Sequence, residues 1–466
     1  MQTGRTAPTL SSTAPRASRM RHALSSSLRI GVLVLLAGPL QALAARPAAA
    51  AAGGLDPSFG GDGRVTTLFG GSDSISALNA IAVQGDGKVV AGGATSPRSV
   101  RNFRFALARY NVDGTLDDAF GGDGKVTSTF FANESFVNDV AIQDDAKIIA
   151  AGYVVDEVTR SFQPSRFALA RYNPDGTLDT TFSGNGQVTT RVAARAKGSA
   201  VAIEPDGKIV VAGRAWKDHR FVFALARYNA NGSLDRTFGN EGTLTTSFNF
   251  QMGDTDLAIQ PDGKIVLVGS VEVPDSVFDN RFVLLRYRTD GTLDPTFNRD
   301  GITMTRFNLS GRTAASADAV ALQPDGRIVA AGEFAGENKN GDPRRGFALA
   351  RYHSDGSLDG SFGRDGKVRI GVGYSSGASG VAIQPDGDVV AVGTVTDLND
   401  PLPSRFAATR SEPDGSPDPT FGTNGAVKTR IGFQPSVSDV ALEPDGGIVV
   451  GGTTDDRFAL VRYLAA

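Results

Sequence analysis

The chain has 466 residues, and its 47 Lys and Arg side chains against 50 Asp and Glu give a formal net charge of −3. It contains no Cys and only three His, which excludes a disulfide framework, a thiolate zinc site, an iron–sulfur cluster and a Cys nucleophile. The 57 Gly and 22 Pro are many for a helical protein and ordinary for a turn-rich β protein.

Residues 1–44 have the pattern of a secretory signal peptide. Arg residues without any acidic residue precede the apolar run Ile30–Leu43, which ends in the small-residue pattern Ala42-Leu43-Ala44. Met20 is an alternative start, and an uncleaved anchor is the alternative to cleavage. We expect a secreted, periplasmic or cell-surface protein, with residues 45–54 as a flexible lead-in. Loss of the basic leader would leave a more acidic chain, which argues against nucleic acid and membrane as partners.

A single repeat fills residues 55–466. The phrase Leu-Asp-x-x-Phe-x-x-x-Gly begins at Leu55, Leu116, Leu178, Leu234, Leu293, Leu358 and, with Pro in first place, Pro417. Between copies stand the phrases AVAIQ, PDGK, IVVAG, FALARYN and GKVTT or close variants of them. Short apolar and β-branched runs separated by Pro-Asp-Gly turns indicate strands, so each repeat of about 60 residues is predicted to contain four, named A to D.

The strands are apolar or small on both faces, as in sheets that are covered on both sides. Four-stranded units stacked in a ring provide that environment, so we predict an all-β, seven-bladed propeller. A linear β-solenoid is the alternative, although its coils are usually shorter. The chain begins with a D segment and ends after a C strand, and joining the two would complete the seventh blade and close the ring.

An Arg in each C strand also indicates that the propeller is closed. Arg109 precedes Asp117 of the next Leu-Asp phrase by eight residues, and the first six C strands repeat this spacing. Arg462 has no such follower and Asp56 has no such predecessor, so closure would pair these two. A buried Arg needs a carboxylate partner, which favours a structural ion pair in every blade. The alternative is a ring of Arg side chains that binds a ligand.

The repeat AVAIQPDGKIVVAG…RFALARYN…GKVTT resembles the bacterial delta-60 repeat family over residues 55–466 and, more distantly, the propellers of NHL-type repeats. This resemblance implies an exported, propeller-like protein and brings no catalytic motif with it. Three local departures stand out: Asp144-Asp145-Ala146 replaces the Pro-Asp-Gly turn, Ser411 replaces the Tyr of FALARYN, and Pro417 replaces the Leu.

Polar residues stand where each A strand begins, and in propellers the A strand lies innermost. They are Asn79, Asn138, Ser199, Thr255, Asp318, Ser379 and Ser438, followed in three repeats by Asp139, Asp256 and Asp439. At one mouth of a central channel, Asp139, Asp256, Asp318 and Asp439 could hold Ca²⁺ through carboxylate oxygens. The alternative is a set of strand-start caps and solvated channel side chains.

Two other segments attract attention. The connection between strands B and C of the third repeat contains Trp216, His219 and Arg220, which could stack on a sugar or a peptide or could instead cover a blade edge. Residues 373–377 match the Gly-x-Ser-x-Gly pattern of a nucleophile elbow. No helix and no nearby His are predicted there, so we interpret them as a loop.

The sequence therefore predicts a monomeric binding or protein-interaction scaffold without a required cofactor, whose partner is an unknown protein or glycan. Two alternatives stay open. One is a Ca²⁺-dependent hydrolase or lactonase-like enzyme with its site at the channel mouth. The other is a structural component of the cell envelope or matrix.

Overall fold

The computed structural model describes residues 51–465 except 101, 131–133, 157–163, 249–251, 273–278, 308–309, 338–342 and 398–403. The predicted signal peptide and residues 45–50 lie outside the described residues. The regular elements of the described part are β-strands, arranged in seven four-stranded antiparallel sheets. No helix in this part of the chain is long and apolar enough to cross a membrane. The predicted seven-bladed β-propeller is confirmed.

Blades 1 to 3 each contain four consecutive strands in the order A, B, C, D. Blade 1 consists of β2 (Ser74–Val83), β3 (Val89–Pro97), β4 (Arg104–Tyr110) and β5 (Lys125–Ser128). Blade 2 consists of β6 (Ser135–Ile142), β7 (Ile148–Val155), β8 (Ser165–Tyr172) and β9 (Gln187–Thr190). Blade 3 consists of β10 (Ala194–Ile203), β11 (Ile209–Lys217), β12 (Arg220–Tyr228) and β13 (Thr243–Thr246).

Blades 4 to 6 repeat this order. Blade 4 consists of β14 (Met252–Ile259), β15 (Ile265–Glu272), β16 (Asn280–Tyr287) and β17 (Ile302–Thr305). Blade 5 consists of β18 (Ser310–Leu322), β19 (Ile328–Glu337), β20 (Pro343–Tyr352) and β21 (Lys367–Ile370). Blade 6 consists of β22 (Ser375–Ile383), β23 (Val389–Thr396), β24 (Ser404–Ser411) and β25 (Ala426–Thr429).

The seventh blade joins the two ends of the repeat region. It combines β26 (Ser436–Leu442), β27 (Ile448–Thr454) and β28 (Arg457–Tyr463) with β1 (Arg64–Thr67), which pairs antiparallel with β28 from Arg64↔Val461 to Thr67↔Phe458. The end of the lead-in is held as well, because Gly53 N donates to Leu464 O at 2.8 Å. This part of the predicted flexible segment is therefore packed on the propeller.

The core lies between neighbouring blades. Each of seven clusters of buried side chains combines residues from two adjacent sheets, such as Val90 of blade 1 with Ile148 of blade 2. The Phe of each Leu-Asp phrase is fully buried, and the Arg of the C strand lies over its ring, as Arg109 does over Phe120 at 4.8 Å. These aromatic side chains are packing residues of the blade interfaces.

The Arg–Asp pairs are present in all seven blades. Arg109 Nε donates to Asp117 Oδ2 at 2.7 Å, and its Nη1 donates to Pro174 O of the next blade at 2.5 Å. Arg462 Nη2 lies 3.0 Å from Asp56 Oδ2, so the pair expected from closure forms between the two ends of the repeat region. Each guanidinium therefore contacts the Asp of its own blade, a Phe ring and a backbone carbonyl of the next blade, as Arg109 does. These contacts favour a structural role for the seven Arg side chains over ligand binding.

The departures from the repeat have local consequences. Ala146, in the Gly place of a Pro-Asp-Gly turn, adopts φ 62°, a left-handed conformation that favours Gly. In six blades the Tyr at the end of strand C is buried, and Tyr352 OH bonds with Thr305 Oγ1 of the preceding blade. Where Ser411 replaces the Tyr, the preceding D strand ends in Ile370 instead of Thr or Ser. The Tyr and the hydroxyl residue that it contacts in other blades are therefore both replaced here, by Ser411 and Ile370.

Candidate binding surface

The upper face of the ring is defined here as the end where the A strands begin and the turns between strands B and C lie. Just below this face, register shifts of the β-bulge kind occur between strands A and B, for example between Val137 and Asp139 and between Gly198 and Ala200. Strand A of blade 2 lies so close to Gly152 of strand B that a Cβ added to Gly152 would lie 1.9 Å from Phe136 O. The bulges turn the polar residues of the predicted ring toward the neighbouring blade.

Three of these polar side chains donate to a backbone carbonyl of the next blade around the ring. The pairs are Asn79 Nδ2 with Val137 O (2.6 Å), Asn138 Nδ2 with Gly198 O (2.6 Å) and Ser438 Oγ with Leu78 O (2.8 Å). Ser199 and Ser379 are half-buried, and Thr255 is buried. Asn79, Asn138 and Ser438 thus each link their own blade to the next one.

Asp139, Asp256 and Asp439 come directly after a polar strand-start residue in the sequence, and their carboxylates accept hydrogen bonds from backbone N–H groups. One oxygen of Asp139 accepts from Val140 N at 2.7 Å, and the other accepts from Val201 N of the next blade at 2.6 Å. Asp256 and Asp439 repeat this arrangement. Their donors are Leu257 N (2.7 Å) and Val320 N (2.8 Å) for Asp256, and Val440 N (2.7 Å) and Ile81 N (2.9 Å) for Asp439.

The same three carboxyls have raised pKa values. Dense surrounding protein removes water from Asp139 and raises its pKa well above the ordinary value, and the charges of Asp256 and Asp439 add to the effect. Desolvation likewise raises the pKa of Asp256 to about 7 and that of Asp439 to about 6. Backbone donors bind both oxygens of each of the three carboxyls.

The four carboxylates of the predicted calcium site differ in their surroundings. Asp318 is exposed, and Ser316 Oγ donates to its Oδ2 at 3.4 Å. The described residues contain no group of three or more His, Cys, Asp or Glu side chains placed to hold a metal ion. Asp139, Asp256 and Asp439 turn their oxygens toward backbone N–H groups of the blades, and calcium binding by the four carboxylates stays a prediction.

The predicted Gly-x-Ser-x-Gly loop, residues 373–377, also differs from a nucleophile elbow. Ser375, the central Ser of the pattern, is the first residue of β22, and Ser376 pairs with Val395 of β23. A strand follows where an elbow requires a helix, so the segment lacks the geometry that exposes a nucleophile.

Trp216, His219 and Arg220 lie in the β11–β12 hairpin on the upper face, whose two turn residues are Asp218 and His219. Asp218 and His219 have φ 50° and 62°, as a type I′ turn requires, and His219 is exposed. Arg220 Nη1 donates to Phe248 O at 3.1 Å. Trp216 is half-buried and meets the ring of its cross-strand partner Phe221 edge-on, with ring centroids 5.0 Å apart.

Around Trp216 lies a mixed patch, called the aromatic–cation surface, that spans blades 2 and 3. Its members are Tyr153, Arg195, Lys197, Arg214, Trp216 and Phe221, and all six are half-buried. Lys197 Nζ lies 4.4 Å from the centre of the Tyr153 ring, and the Arg214 guanidinium lies 5.0 Å from that of Phe221. Arg195 lies 5.7 Å from the Trp216 ring and 5.8 Å from the Phe221 ring. Each separation is within the range of cation–π attraction.

The residue types at one repeat position distinguish this patch from the rest of the propeller. Tyr153 and Arg214 follow the Gly of strand B, where the other blades have Ala94, Ser270, Glu333, Thr394 and Thr453. Arg195 has φ 49°, a left-handed conformation that costs a non-Gly residue about 1–2 kcal/mol. Sequence analysis singled out only Trp216 here. Alignment of the seven repeats on the B-strand Gly would have revealed Tyr153 and Arg214.

Comparison with known proteins leaves the ligand open. No curated protein sequence matches the chain. Among solved structures, the chain is similar to a PL25 ulvan lyase, with 13% identity, TM-score 0.46 and coverage of 86% of this chain and 96% of that one. An α-L-arabinanase of Penicillium chrysogenum has 10% identity, TM-score 0.45 and coverages of 86% and 96%. A virginiamycin B lyase of Staphylococcus aureus has 8% identity, TM-score 0.42 and coverages of 86% and 99%. Likeness at this level says nothing about the activity of this chain.

The repeats themselves match a family described as a domain of unknown function (DUF5122) β-propeller. The matched segments are residues 84–120, 143–182, 204–238, 260–297, 323–362 and 384–421. Each covers the B and C strands and the Leu-Asp phrase of one of blades 1 to 6. The chain is therefore a propeller repeat protein whose first six blades match the DUF5122 β-propeller family.

Proposed function

We propose that this protein is an exported binding scaffold that holds an acidic glycan on its upper face. The aromatic–cation surface is the observation that carries the proposal, because it places three cationic side chains among three aromatic rings on two neighbouring blades. Aromatic faces pack on apolar surface, and guanidinium and ammonium groups pair with carboxylate or sulfate. A ligand with both kinds of surface, such as a chain of uronic acid units, matches this combination.

Rigidity of the platform supports the proposal. The surface is built on strands β7, β10, β11 and β12, and the bonds between blades hold these strands in a fixed arrangement. Little side-chain or loop entropy would be lost on binding, since the hairpin at Asp218 and His219 is short and the rings are half-buried. The signal-peptide pattern of residues 1–44 supports export.

The test is calorimetric titration of the protein with oligogalacturonate, with a neutral galactan oligomer of equal length as the uncharged ligand. We expect binding of the acidic oligomer that weakens with salt, because exposed charge pairs are screened. Lys197→Ala and Arg214→Ala should each weaken binding by about tenfold, the effect of losing roughly 1.4 kcal/mol.

The matched control is Tyr374→Ala, which removes an aromatic ring that is 50% exposed on blade 6. It should leave the affinity unchanged, whereas Tyr153→Ala should lower it. A purely structural role for the aromatic–cation surface predicts a different result: Lys197→Ala and Tyr153→Ala would lower the unfolding temperature, and the affinity would stay the same. That result, or equal binding of the neutral oligomer, would overturn the proposal.

A further inference from the structure

A second basic site lies on the outer side of blade 5. Phe307, at the end of the D segment of blade 4, and four residues of blade 5 line a cavity of about 250 Å³. The blade 5 residues are Arg364, Asp365, Lys367 and Arg369. Three cationic side chains thus face one acidic side chain, beside an aromatic ring that is almost wholly buried.

Backbone hydrogen bonds hold the turn that carries these side chains. Arg364 and Lys367 exchange two backbone hydrogen bonds of 2.9 and 3.1 Å across the turn at Asp365, and Lys367 begins β21. Lys367 and Arg369 are two residues apart on this strand, so their side chains project on the same side. Lys367 Nζ also reaches toward the preceding blade and lies 3.4 Å from Arg306 O. The cations are therefore held at the boundary of blades 4 and 5.

The repeat provides an internal comparison for this concentration of charge. At the three places of Arg364, Lys367 and Arg369, the other six blades each contain at most one basic residue. The single basic residues are Arg64 in blade 7, Lys125 in blade 1, Arg299 in blade 4 and Lys428 in blade 6. Blades 2 and 3 contain none. The fold itself therefore does not require basic residues at these places.

Protection of the sheet edge does not account for the cluster either. Lys and Arg on an edge strand discourage pairing with other chains. The D strand is the outer strand in all seven blades, and six of them are protected with one basic residue or none at these places. Three basic side chains beside a cavity exceed what this purpose needs.

We propose that the blade 5 groove, formed by Phe307, Arg364, Lys367 and Arg369, binds an oxyanion group of an acidic ligand. The group is a carboxylate, a sulfate or a phosphate monoester, since guanidinium forks bind each of these through paired N–H donors. The cavity is large enough for one such group with the ring or short chain that carries it. This site is separate from the aromatic–cation surface and does not depend on the function proposed for it.

The experiment is isothermal titration with glucuronate, inorganic sulfate and glucose 6-phosphate at matched ionic strength, with glucose as the uncharged ligand. The arms identify which oxyanion the groove prefers. We expect at least one of the three to bind and glucose not to bind. The triple variant Arg364→Ala, Lys367→Ala, Arg369→Ala should lose at least about tenfold in affinity, since each lost charge-assisted bond contributes more than a neutral one.

The control triple variant is Arg64→Ala, Lys125→Ala, Lys428→Ala. It removes the same total charge from equivalent places but spreads the loss over three blades. The groove is supported when this variant retains the affinity of the parent protein. Equal losses in the two triple variants would show that only the overall charge matters and would overturn the proposal. So would the absence of binding for all three oxyanions.

Discussion

Acid should stabilise this protein across the mildly acidic range, because Asp139, Asp256 and Asp439 have raised pKa values in the folded state. A carboxyl whose pKa is raised by folding binds its proton more tightly when folded than when unfolded. The free energy of unfolding therefore rises as the pH falls through the folded-state pKa, and the gain is complete only once the pH has also fallen through the unfolded-state pKa. Between about pH 8 and pH 5.5 the folded state takes up these protons while the unfolded state stays ionised, so this part of the window is used for the measurement.

The size of the effect follows from the two states. With a pKa of about 7 when folded and 3.8 when unfolded, Asp256 adds about 2 kcal/mol to the free energy of unfolding between pH 8 and pH 5.5. Asp439, with a pKa of about 6, adds about 1 kcal/mol over the same window. Carboxyls paired with Arg, such as Asp359, have lowered pKa values, and their stabilisation is lost only in stronger acid.

The assay is urea unfolding at pH 8 and pH 5.5 with Asp256→Ala as the test variant, because Ala occupies the same place in three other blades, as at Ala80. The variant should lose about 2 kcal/mol of the gain on acidification. Asp73→Ala, which removes an exposed carboxyl, should retain the full gain. A stability that falls from pH 8 to pH 5.5 in the parent protein, or an unchanged gain in Asp256→Ala, would refute the reasoning.

Two further predictions concern closure and the turns. Asp56→Ala should lower the free energy of unfolding by about 2 kcal/mol, as should Asp235→Ala in a continuous blade, because each removes one of the two carboxylates that pair with a buried Arg. A much smaller cost for Asp56→Ala in chemical unfolding would contradict ring closure by β1. Ala146→Gly should stabilise by roughly 0.5–1 kcal/mol, since it relieves a positive φ, and Gly207→Ala, at φ 83° with open space around it, should destabilise by a similar amount. In thermal unfolding, Ala146→Gly should raise the unfolding temperature and Gly207→Ala should lower it. A change in the same direction for both variants would contradict the turn geometry.

The fold could be predicted in detail because one pattern is repeated seven times. Turn residues delimit each strand, and the offset between the D segment at Leu55 and the C strand at Arg462 implies closure. The eight-residue spacing from Arg109 to Asp117 also predicts a contact, because a short turn brings the two residues together. Each of these patterns consists of short motifs whose residues are close in the chain, and such patterns can be recognised in a single sequence.

The site was harder to predict because its geometry depends on contacts between blades. The bulge turns Asn138 toward Gly198, and Asp139 meets Val201 N of the next blade, so the side chains expected to face a ligand bind backbone instead. Likewise, Lys197 meets Tyr153 only because strand A of one blade packs beside strand B of the blade before it. Residues about 40 or more positions apart in the chain decide both arrangements.

Trp216 is the only Trp of the chain, so its fluorescence reports directly on the aromatic–cation surface. The most direct test of the account is therefore a titration of Trp emission with oligogalacturonate, in the parent protein and in Lys197→Ala. We expect a saturable change in the parent protein that requires a higher ligand concentration in the variant. Binding detected by calorimetry without any change in Trp216 emission would place the glycan elsewhere and would contradict the proposed function.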